Sequence, residues 1–342
     1  MRVGNNPEKD KDNIIIENYH RIIIPVYIPN SNDYFKDSFQ IFQLCIESLL
    51  KTIHVKTRVT IYNNNSTKEV KNYIDQLYKD FFFIDQVFHS KENVGKINAI
   101  LAASKGNIEP LITVSDADVL FKKHWQQEVE QLLIDFPESG MVSPVPSSKT
   151  FRSFVDANWY YGFVKGKIRF EDVQDPEGLI SFDKSLGRDK PFYNKNHLEK
   201  YLVLRNKINS AVMGCGHFVA TLRREVFDKG SSQSTLIKIA RVADNKFIDK
   251  PNQDLGFLRL ATMKNYAYHM GNVYEKWMKE ENEKLDKEKD ETIFFKSELF
   301  RKPNNLKPFQ LFIGKIIRRF LLSNTIRNKY FRSIGLSNPK DY

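Results

Sequence analysis

Short apolar runs that alternate with helical patterns constrain this chain more than any other feature of its sequence. Strand-like runs lie at 21–28, 57–63, 81–89, 111–115 and 140–145. Segments with helical spacing of apolar residues separate them, at 39–51, 66–81, 95–104 and 123–136. Because short connections join these segments, the pattern predicts parallel βαβ units. The predicted fold class is α/β, a mostly parallel open sheet with helices on both faces.

Polar residues follow three of the predicted strands. Asn63 ends one strand, Asn93 comes shortly after another, and Ser115 leads into Asp116 and Asp118. In an open α/β sheet, ligands bind outside the carboxyl ends of the strands. We therefore expect these side chains to converge on one crevice.

Length and composition limit the protein class. The chain has 342 residues, 41% of them hydrophobic, enough for one large domain with an appendage. The two cysteines, Cys45 and Cys215, are too few for a disulfide framework. No run approaches the roughly 20 apolar residues needed to cross a bilayer, so a soluble or peripheral protein is expected. Residues 1–18 are polar and predict a flexible arm.

Asp116 and Asp118 form a D-x-D pair directly after a predicted buried strand. Carboxylates at a strand end must be hydrated, paired or bound to a metal. Hard oxygen ligands suit Mg²⁺ or Mn²⁺, which commonly bridge to substrate phosphates. An isolated pair of this kind is more often a helix cap followed by a solvated Asp. The usual Gly-rich nucleotide fingerprints, by contrast, are incomplete in this chain.

The order of several motifs resembles that of a GT-A glycosyltransferase of the family 2 type. The matching stretches are "IIIPVY" with Pro25 and Tyr27, "IYNNNST" with Asn63, "NVGKINA" with Asn93 and Gly95, and "SDAD" with Asp116 and Asp118. The similarity covers about residues 21–272. It implies a GT-A sheet, to which the sequence adds a basic helical extension at the C-terminus.

The resemblance also implies a set of site residues. The implied donor-binding residues are Pro25, Tyr27, Asn63, Asn93, Gly95, Lys96, Ser115 and Asp116. The implied ligands of Mn²⁺ or Mg²⁺ are Asp116, Asp118 and His269, although a structural role for His269 is equally open. Asp254 is the implied general base, and His217 is predicted to be structural. Asn63 stands where the family has Asp, and Gln253 stands where it has Glu, so the nucleobase stays open.

The implied function is metal-dependent, inverting transfer of a sugar from a nucleotide-diphosphate sugar to the hydroxyl of a glycan or lipid-linked acceptor. This reaction fits a hexosyltransferase of bacterial polysaccharide or glycan assembly. The predicted catalytic domain is 19–274, with a nucleotide-sugar half at 19–145. The acceptor half is 146–274, with an irregular insertion at 149–205. The alternative is a catalytically inactive sugar-binding or scaffold module.

Positive charge is concentrated in the predicted linker and tail, 275–342. Residues 301–342 hold ten Lys or Arg and one acid, so nine of the eleven net positive charges lie there. Within 308–322, apolar residues recur at helical spacing opposite Lys and Arg, a pattern typical of a helix lying in a membrane interface. The sequence therefore predicts a cytoplasmic enzyme, peripheral at the anionic inner face of the plasma membrane. Docking of this helix on the catalytic domain is the alternative. No nucleic-acid-binding signature is present, so no nucleic-acid partner is predicted.

Overall fold

The computed structural model describes residues 3–4, 14–230, 234–238, 241–287, 293–300, 303–340 and 342. Most of the predicted N-terminal arm therefore lies outside the described residues, as do 288–292 of the predicted linker and the basic pair Arg301 and Lys302.

The strands of the described part account for the apolar runs of the sequence. They are β1 (His20–Val26), β2 (Thr57–Asn64), β3 (Ile84–Ser90), β4 (Leu111–Ser115), β5 (Val119–Phe121), β6 (Ser139–Ser143), β7 (Lys167–Asp172), β8 (Lys200–Arg205), β9 (Ser210–Met213), β10 (Val219–Arg223), β11 (Leu258–Ala261) and β12 (Ala267–His269).

Helices lie between these strands and, after β12, along the C-terminal segment as far as Ser333. They are α1 (Ser38–Leu50), α2 (Lys68–Asp80), α3 (Lys96–Lys105), α4 (Trp125–Asp135), α5 (Asp156–Val164), α6 (Pro176–Ser185), α7 (Lys195–Glu199), α8 (Glu225–Asp228), α9 (Arg241–Asp244), α10 (Lys250–Asp254), α11 (Lys276–Lys287), α12 (Pro308–Leu321) and α13 (Arg327–Ser333). Short 3₁₀ turns lie at Asp33–Phe35, Thr150–Arg152 and Ser297–Phe300, and a π-helix spans Asn245–Asp249.

Ten strands form one open sheet in the order β3-β2-β1-β4-β10-β6-β11-β9-β8-β7. The first four are parallel, and β10 then inserts antiparallel between β4 and β6. Only β7, β9 and β10 of this sheet run against the other strands. The predicted α/β class and mostly parallel open sheet are confirmed. A second, two-stranded sheet pairs β5 with β12.

Alternate residues of β1 face opposite layers of the protein. Ile22 and Ile24 pack in one hydrophobic cluster with Phe42 of α1. Ile23 points the other way, into a cluster that contains Ile100 of α3. Since both faces of the strand are covered, its sequence is continuously apolar, as expected for a parallel strand between helix layers.

The region predicted as an irregular insertion, 149–205, is ordered and extends the sheet. It contains α5, α6 and α7, and β7 and β8 form the edge beyond β9. Its aromatic residues are core residues: Trp159 is fully buried and Phe170 nearly so. The sequence prediction was wrong here because aromatic side chains interspersed with charges obscure the alternation that marks a strand.

The C-terminal tail packs against α5 and the edge of the large sheet. Helix α12 lies on α5, where Gly314 brings its backbone against the carbonyl oxygen of Asp156. The Arg318 Nε donates to an Asp156 carboxylate oxygen at 2.6 Å. Phe331 and Tyr342 are buried in the same cluster as the sheet residues. Within the described part of the chain, no helix combines the length and apolarity that crossing a membrane requires.

Candidate active site

A cleft of about 490 Å³ opens at the carboxyl ends of β1, β2 and β4. This is the edge at which the sequence predicted a crevice. Of the predicted site residues, Pro25, Tyr27, Asn93, Lys96, Asp116 and Asp118 line it. The cleft is also lined by residues that sequence reasoning did not assign to the site: Tyr34, Phe35, Asn64, His217, Lys238, Asp244 and Asn272.

Asp116 is held at the exit of β4 by two contacts. Its backbone N–H donates to the Phe218 carbonyl oxygen at 2.7 Å, which continues the pairing of β4 with β10. Its carboxylate forms an ion pair with the Lys96 ammonium, on the first residue of α3. Burial opposes the charge on Lys96, but Asp116 and Asp244 outweigh it and raise its pKa. The positive charge of Lys96 is therefore fixed inside the cleft.

Asp118 faces His269 because β5 and β12 pair. Val119 is opposite His269 in this ladder, and the Met270 N–H donates to the Asp118 carbonyl oxygen at 2.8 Å. The His269 Nε2 lies 3.5 Å from Asp118 Oδ2. The other ring nitrogen, Nδ1, is 2.9 Å from the Ser185 hydroxyl, which fixes the ring orientation.

Asp118 is short of partners within the described part of the chain. Asp118 Oδ1 is buried and accepts no hydrogen bond from any described residue. Burial raises the pKa of Asp118; His269 and Lys96 oppose this rise, and Asp116 adds to it. Two ligands of one cation, each about 2.1 Å from it, lie roughly 3 Å apart when they meet at a right angle. The 3.5 Å separation of Asp118 and His269 and the orphaned oxygen therefore fit a divalent cation.

Asn64, rather than Asn63, faces the cleft. The Asn64 amide donates to Asn93 Oδ1 at 2.9 Å and its Oδ1 accepts the Val94 N–H at 2.8 Å. Asn63 is as buried as Asn64, but its Oδ1 accepts the Ser66 N–H at 2.9 Å and its amide nitrogen lies 2.9 Å from His89 Nδ1, so it supports the turn after β2. Successive residues of a strand point to opposite sides, and the sequence motif alone did not decide which side faces the cleft.

Two other predicted donor residues, Gly95 and Ser115, shape the chain beside the cleft. Gly95 precedes α3 with φ of +86°, and a Cβ there would lie 2.8 Å from the Lys238 Cα. Ser115 is fully buried, and its hydroxyl donates to the Asp116 carbonyl oxygen at 2.9 Å. Ser115 is therefore not among the residues that line the cleft; it shapes the turn that carries Asp116.

The predicted general base, Asp254, does not line the cleft. Its side chain is 55% exposed and forms an i,i+4 ion pair with Lys250 on α10. Asp244, ten residues earlier, lines the cleft and has a buried oxygen without a partner among the described residues. Burial raises the pKa of Asp244, against the lowering effect of Lys96. Of these two acids, Asp244 is therefore the one that lines the cleft, and the sequence did not reveal this because it depends on how the chain turns between α9 and α10.

A second cluster of potential metal ligands lies at the opposite end of the strands. Among the described residues, His20, His54 and Glu130 place ligand atoms within 4.8 Å of one another, all buried. The His54 Nδ1 accepts the Lys56 N–H at 3.2 Å, so the ring proton of neutral His54 sits on Nε2. That Nε2 donates to Glu130 at 2.9 Å, and His20 bonds the same oxygen at 2.6 Å. Hydrogen bonds account for this cluster, and the tautomer of His54 does not suit an ion.

Residues 22–230 match the family model described as glycosyl transferase family 2. Among solved structures, S. aureus TarS 1-349 gives a TM-score of 0.43 at 12% identity, over 90% of this chain and 73% of that chain. GalNAc-T7, solved with UDP, GalNAc and Mn²⁺, gives a TM-score of 0.45 at 13% identity, over 75% of this chain and 44% of that chain. None of the curated proteins searched matches the sequence.

Proposed function

The chain belongs to glycosyl transferase family 2, and from that premise we propose that it is a metal-dependent, inverting enzyme of polysaccharide or glycan assembly. It moves a hexose from a nucleotide-diphosphate sugar to a hydroxyl of a glycan or lipid-linked acceptor. The observation that carries this proposal is the cleft itself. One cavity brings together the D-x-D carboxylates, the ammonium of Lys96 and a third acid, Asp244.

The donor side of the proposed site is the D-x-D edge. Asp118 and His269 would hold Mn²⁺ or Mg²⁺, with Asp116 beside them. The bound ion would supply Lewis-acid stabilisation of the leaving diphosphate. Lys96 adds a partly buried positive charge for the same phosphates. The remaining donor contacts are the cleft-lining Pro25, Tyr27, Asn64 and Asn93, with Asn64 in the place predicted for Asn63.

The acceptor side of the proposed site is Asp244. The acceptor oxygen attacks the anomeric carbon as the bond to the diphosphate breaks, and the nucleoside diphosphate leaves with the electron pair. Asp244 takes the proton of the attacking hydroxyl. Its raised pKa suits a carboxylate that must accept a proton near neutral pH. With one acid on this side, a single displacement with inversion is the simpler chemistry.

A matched pair of variants tests the assignment of the base. Asp244→Asn should slow release of nucleoside diphosphate by about 10²–10⁴-fold, the usual effect of losing a general base. Asp254→Asn, the same change on an exposed acid of the next helix, should leave the rate unchanged. Binding of nucleoside diphosphate with Mn²⁺ should be retained in both. Turnover by Asp244→Asn at the wild-type rate would remove Asp244 from the mechanism, and absence of any turnover in the wild type would favour the scaffold alternative.

The proposed membrane partner meets the outer face of α12. The inner face of α12, with Gly314 and Arg318, packs on α5. The outer face exposes four large apolar side chains spaced by three or four residues: Phe309 by 71%, Phe312 by 59%, Ile316 by 52% and Phe320 by 61%.

Basic side chains accompany this apolar stripe. Lys315 and Arg319 are exposed beside it, and Lys329 and Arg332 are exposed on α13. Exposed aromatic residues rimmed by Lys and Arg complement an anionic bilayer. Each basic residue near such a surface adds about 1 kcal/mol of attraction. Helix α12 can therefore dock on the body and lie in the interface at the same time, and this arrangement would bring a lipid-linked acceptor to the enzyme.

Vesicle sedimentation tests the membrane proposal. The double variant Phe312→Ser, Phe320→Ser should lose at least about tenfold in affinity for vesicles that contain phosphatidylglycerol, since it removes two insertable rings. Phe82→Ser is the control, because it removes an exposed ring that lies outside the C-terminal tail. This variant should bind the vesicles as the wild type does. If all three proteins bind equally, or if the wild type does not bind anionic vesicles at low salt, then α12 contributes to folding and not to membrane binding.

A further inference from the structure

His217 belongs to a buried row of polar side chains at the edge of the cleft. Its Nε2 lies 2.5 Å from Asp249 Oδ2, and the Arg259 guanidinium lies 2.9 Å from Asp249 Oδ1. Asp249 is 1% exposed and Arg259 is 2% exposed, whereas the His217 side chain is 20% exposed and lines the cleft. We refer to His217 and Asp249 as the His–Asp dyad.

The dyad fixes both the orientation and the tautomer of the ring. The buried Arg259 guanidinium pairs with the buried Asp249 carboxylate, as expected because a buried charge without a partner is costly. A carboxylate only accepts hydrogen bonds, so His217 Nε2 carries the ring proton and donates it to Asp249. Nδ1 then presents a lone pair, and it makes no hydrogen bond to any residue that the structure describes. The ring is therefore held as an acceptor of one hydrogen bond.

A π-turn places the dyad next to the proposed base. The Lys250 N–H bonds to the Asn245 carbonyl oxygen, five residues back, in the π-helix that links α9 to α10. The wider turn brings residues five apart toward the same side of the helix, here Asp244 and Asp249. His217 and Asp244 both line the cleft, and the negative charge of Asp249 acts on Asp244. Such single π-turns are frequent at functional sites.

We propose that His217 binds the sugar acceptor through Nδ1, by accepting a hydrogen bond from the hydroxyl next to the one that Asp244 deprotonates. This inference rests on the proposed function, since it assigns an acceptor contact within the same cleft. The reacting hydroxyl has one hydrogen and gives it to Asp244, so a neighbouring hydroxyl is the group left for His217. The dyad thereby selects acceptors that carry two adjacent hydroxyls, while Asp249 and Arg259 act as positioning residues.

Deoxy acceptors test this assignment directly. The probes are methyl glycosides of common hexoses and their monodeoxy analogues, used with a donor that the wild-type chain turns over. For the wild type, removing the bonded hydroxyl should lower kcat/KM for the acceptor by about 10–100-fold. His217→Ala should show the same loss with the intact glycoside and no further loss with the deoxy analogue. His217→Gln, whose amide oxygen can accept a hydrogen bond, should recover part of the activity.

Binding of nucleoside diphosphate with Mn²⁺ provides the control, and His217→Ala should leave its dissociation constant unchanged. The inference fails if His217→Ala still discriminates the deoxy analogue, if nucleotide binding falls as much as transfer, or if no methyl glycoside stimulates turnover by the wild type. A wild-type chain that turns over no donor at all refutes the proposed function and this inference with it. Turnover by the wild type together with unaltered acceptor kinetics in His217→Ala refutes the inference alone.

Discussion

Phe331→Ala should destabilise the whole folded body, although Phe331 lies only eleven residues before Tyr342. The ring is fully buried, with its centroid 5.0 Å from that of Phe170 and 5.9 Å from that of Phe151. Truncating a buried Phe costs about 3–5 kcal/mol. Each aromatic pair adds roughly 0.5–1.5 kcal/mol beyond area burial. We therefore expect the free energy of unfolding to fall by about 4–5 kcal/mol, the upper part of the range for a buried Phe. At about 2 °C per kcal/mol for a long chain, Tm should fall by about 8–10 °C.

Thermal unfolding followed by circular dichroism measures this effect, with Phe320→Ala as the matched control. Phe320 lies on the same tail but is 61% exposed, and its variant should stay within about 0.5 kcal/mol of wild type. A shift below about 2 °C for Phe331→Ala, or equal shifts for the two variants, would refute the reasoning. The same packing predicts that a chain ending near residue 302 loses its stable fold, so point variants of α12 test membrane binding more cleanly than truncation.

Three further predictions address the metal, the turn before α3 and the effect of acid. Asp118→Asn should lower metal-dependent release of nucleoside diphosphate by about 10²-fold or more, as for other deleted electrostatic stabilisers, and added Mn²⁺ should not restore it. Gly95→Ala should cost about 1–3 kcal/mol in thermal unfolding, because its backbone geometry is nearly exclusive to glycine; Gly106→Ala, with open space around it, should be neutral. Burial, helped by Lys149, lowers the pKa of His197 to about 4, so the unfolded chain binds a proton from about pH 6.5 downward while the folded chain does not. The free energy of unfolding should therefore fall between pH 6.5 and 4, and His197→Gln should flatten this dependence in urea titrations at pH 7 and pH 5.

The sequence was sufficient to predict the parallel half of the sheet. There the strands are buried on both faces and the helices are amphipathic, so apolar periodicity identifies both. It also placed Asp116 and Asp118 at a strand exit, where the structure has them. Periodicity was uninformative for β10, an antiparallel strand inserted from later in the chain, because strand order depends on packing between distant segments.

The acceptor side of the site could not be predicted for a related reason. Asp254, with Gln253 before it, matches the family's Glu-Asp pair in the sequence, and Asp244 does not. The π-turn at Asn245–Asp249, however, changes which side chains reach the cleft. His217 gave no signal as a functional residue, because its partners Asp249 and Arg259 are distant in sequence. For α12, helical periodicity correctly indicated an amphipathic helix. It assigned one apolar face, whereas the structure divides the apolar residues between a docked side and an exposed side.

Release of nucleoside diphosphate from a panel of nucleotide sugars, with Mn²⁺ and with EDTA, is the decisive test of metal-dependent sugar transfer by this chain. We predict that the wild-type chain turns over at least one donor with Mn²⁺, that EDTA stops the reaction, and that Asp118→Asn stays inactive with Mn²⁺ present. Release that continues undiminished in EDTA, or no release from any donor by the folded chain, would contradict the account.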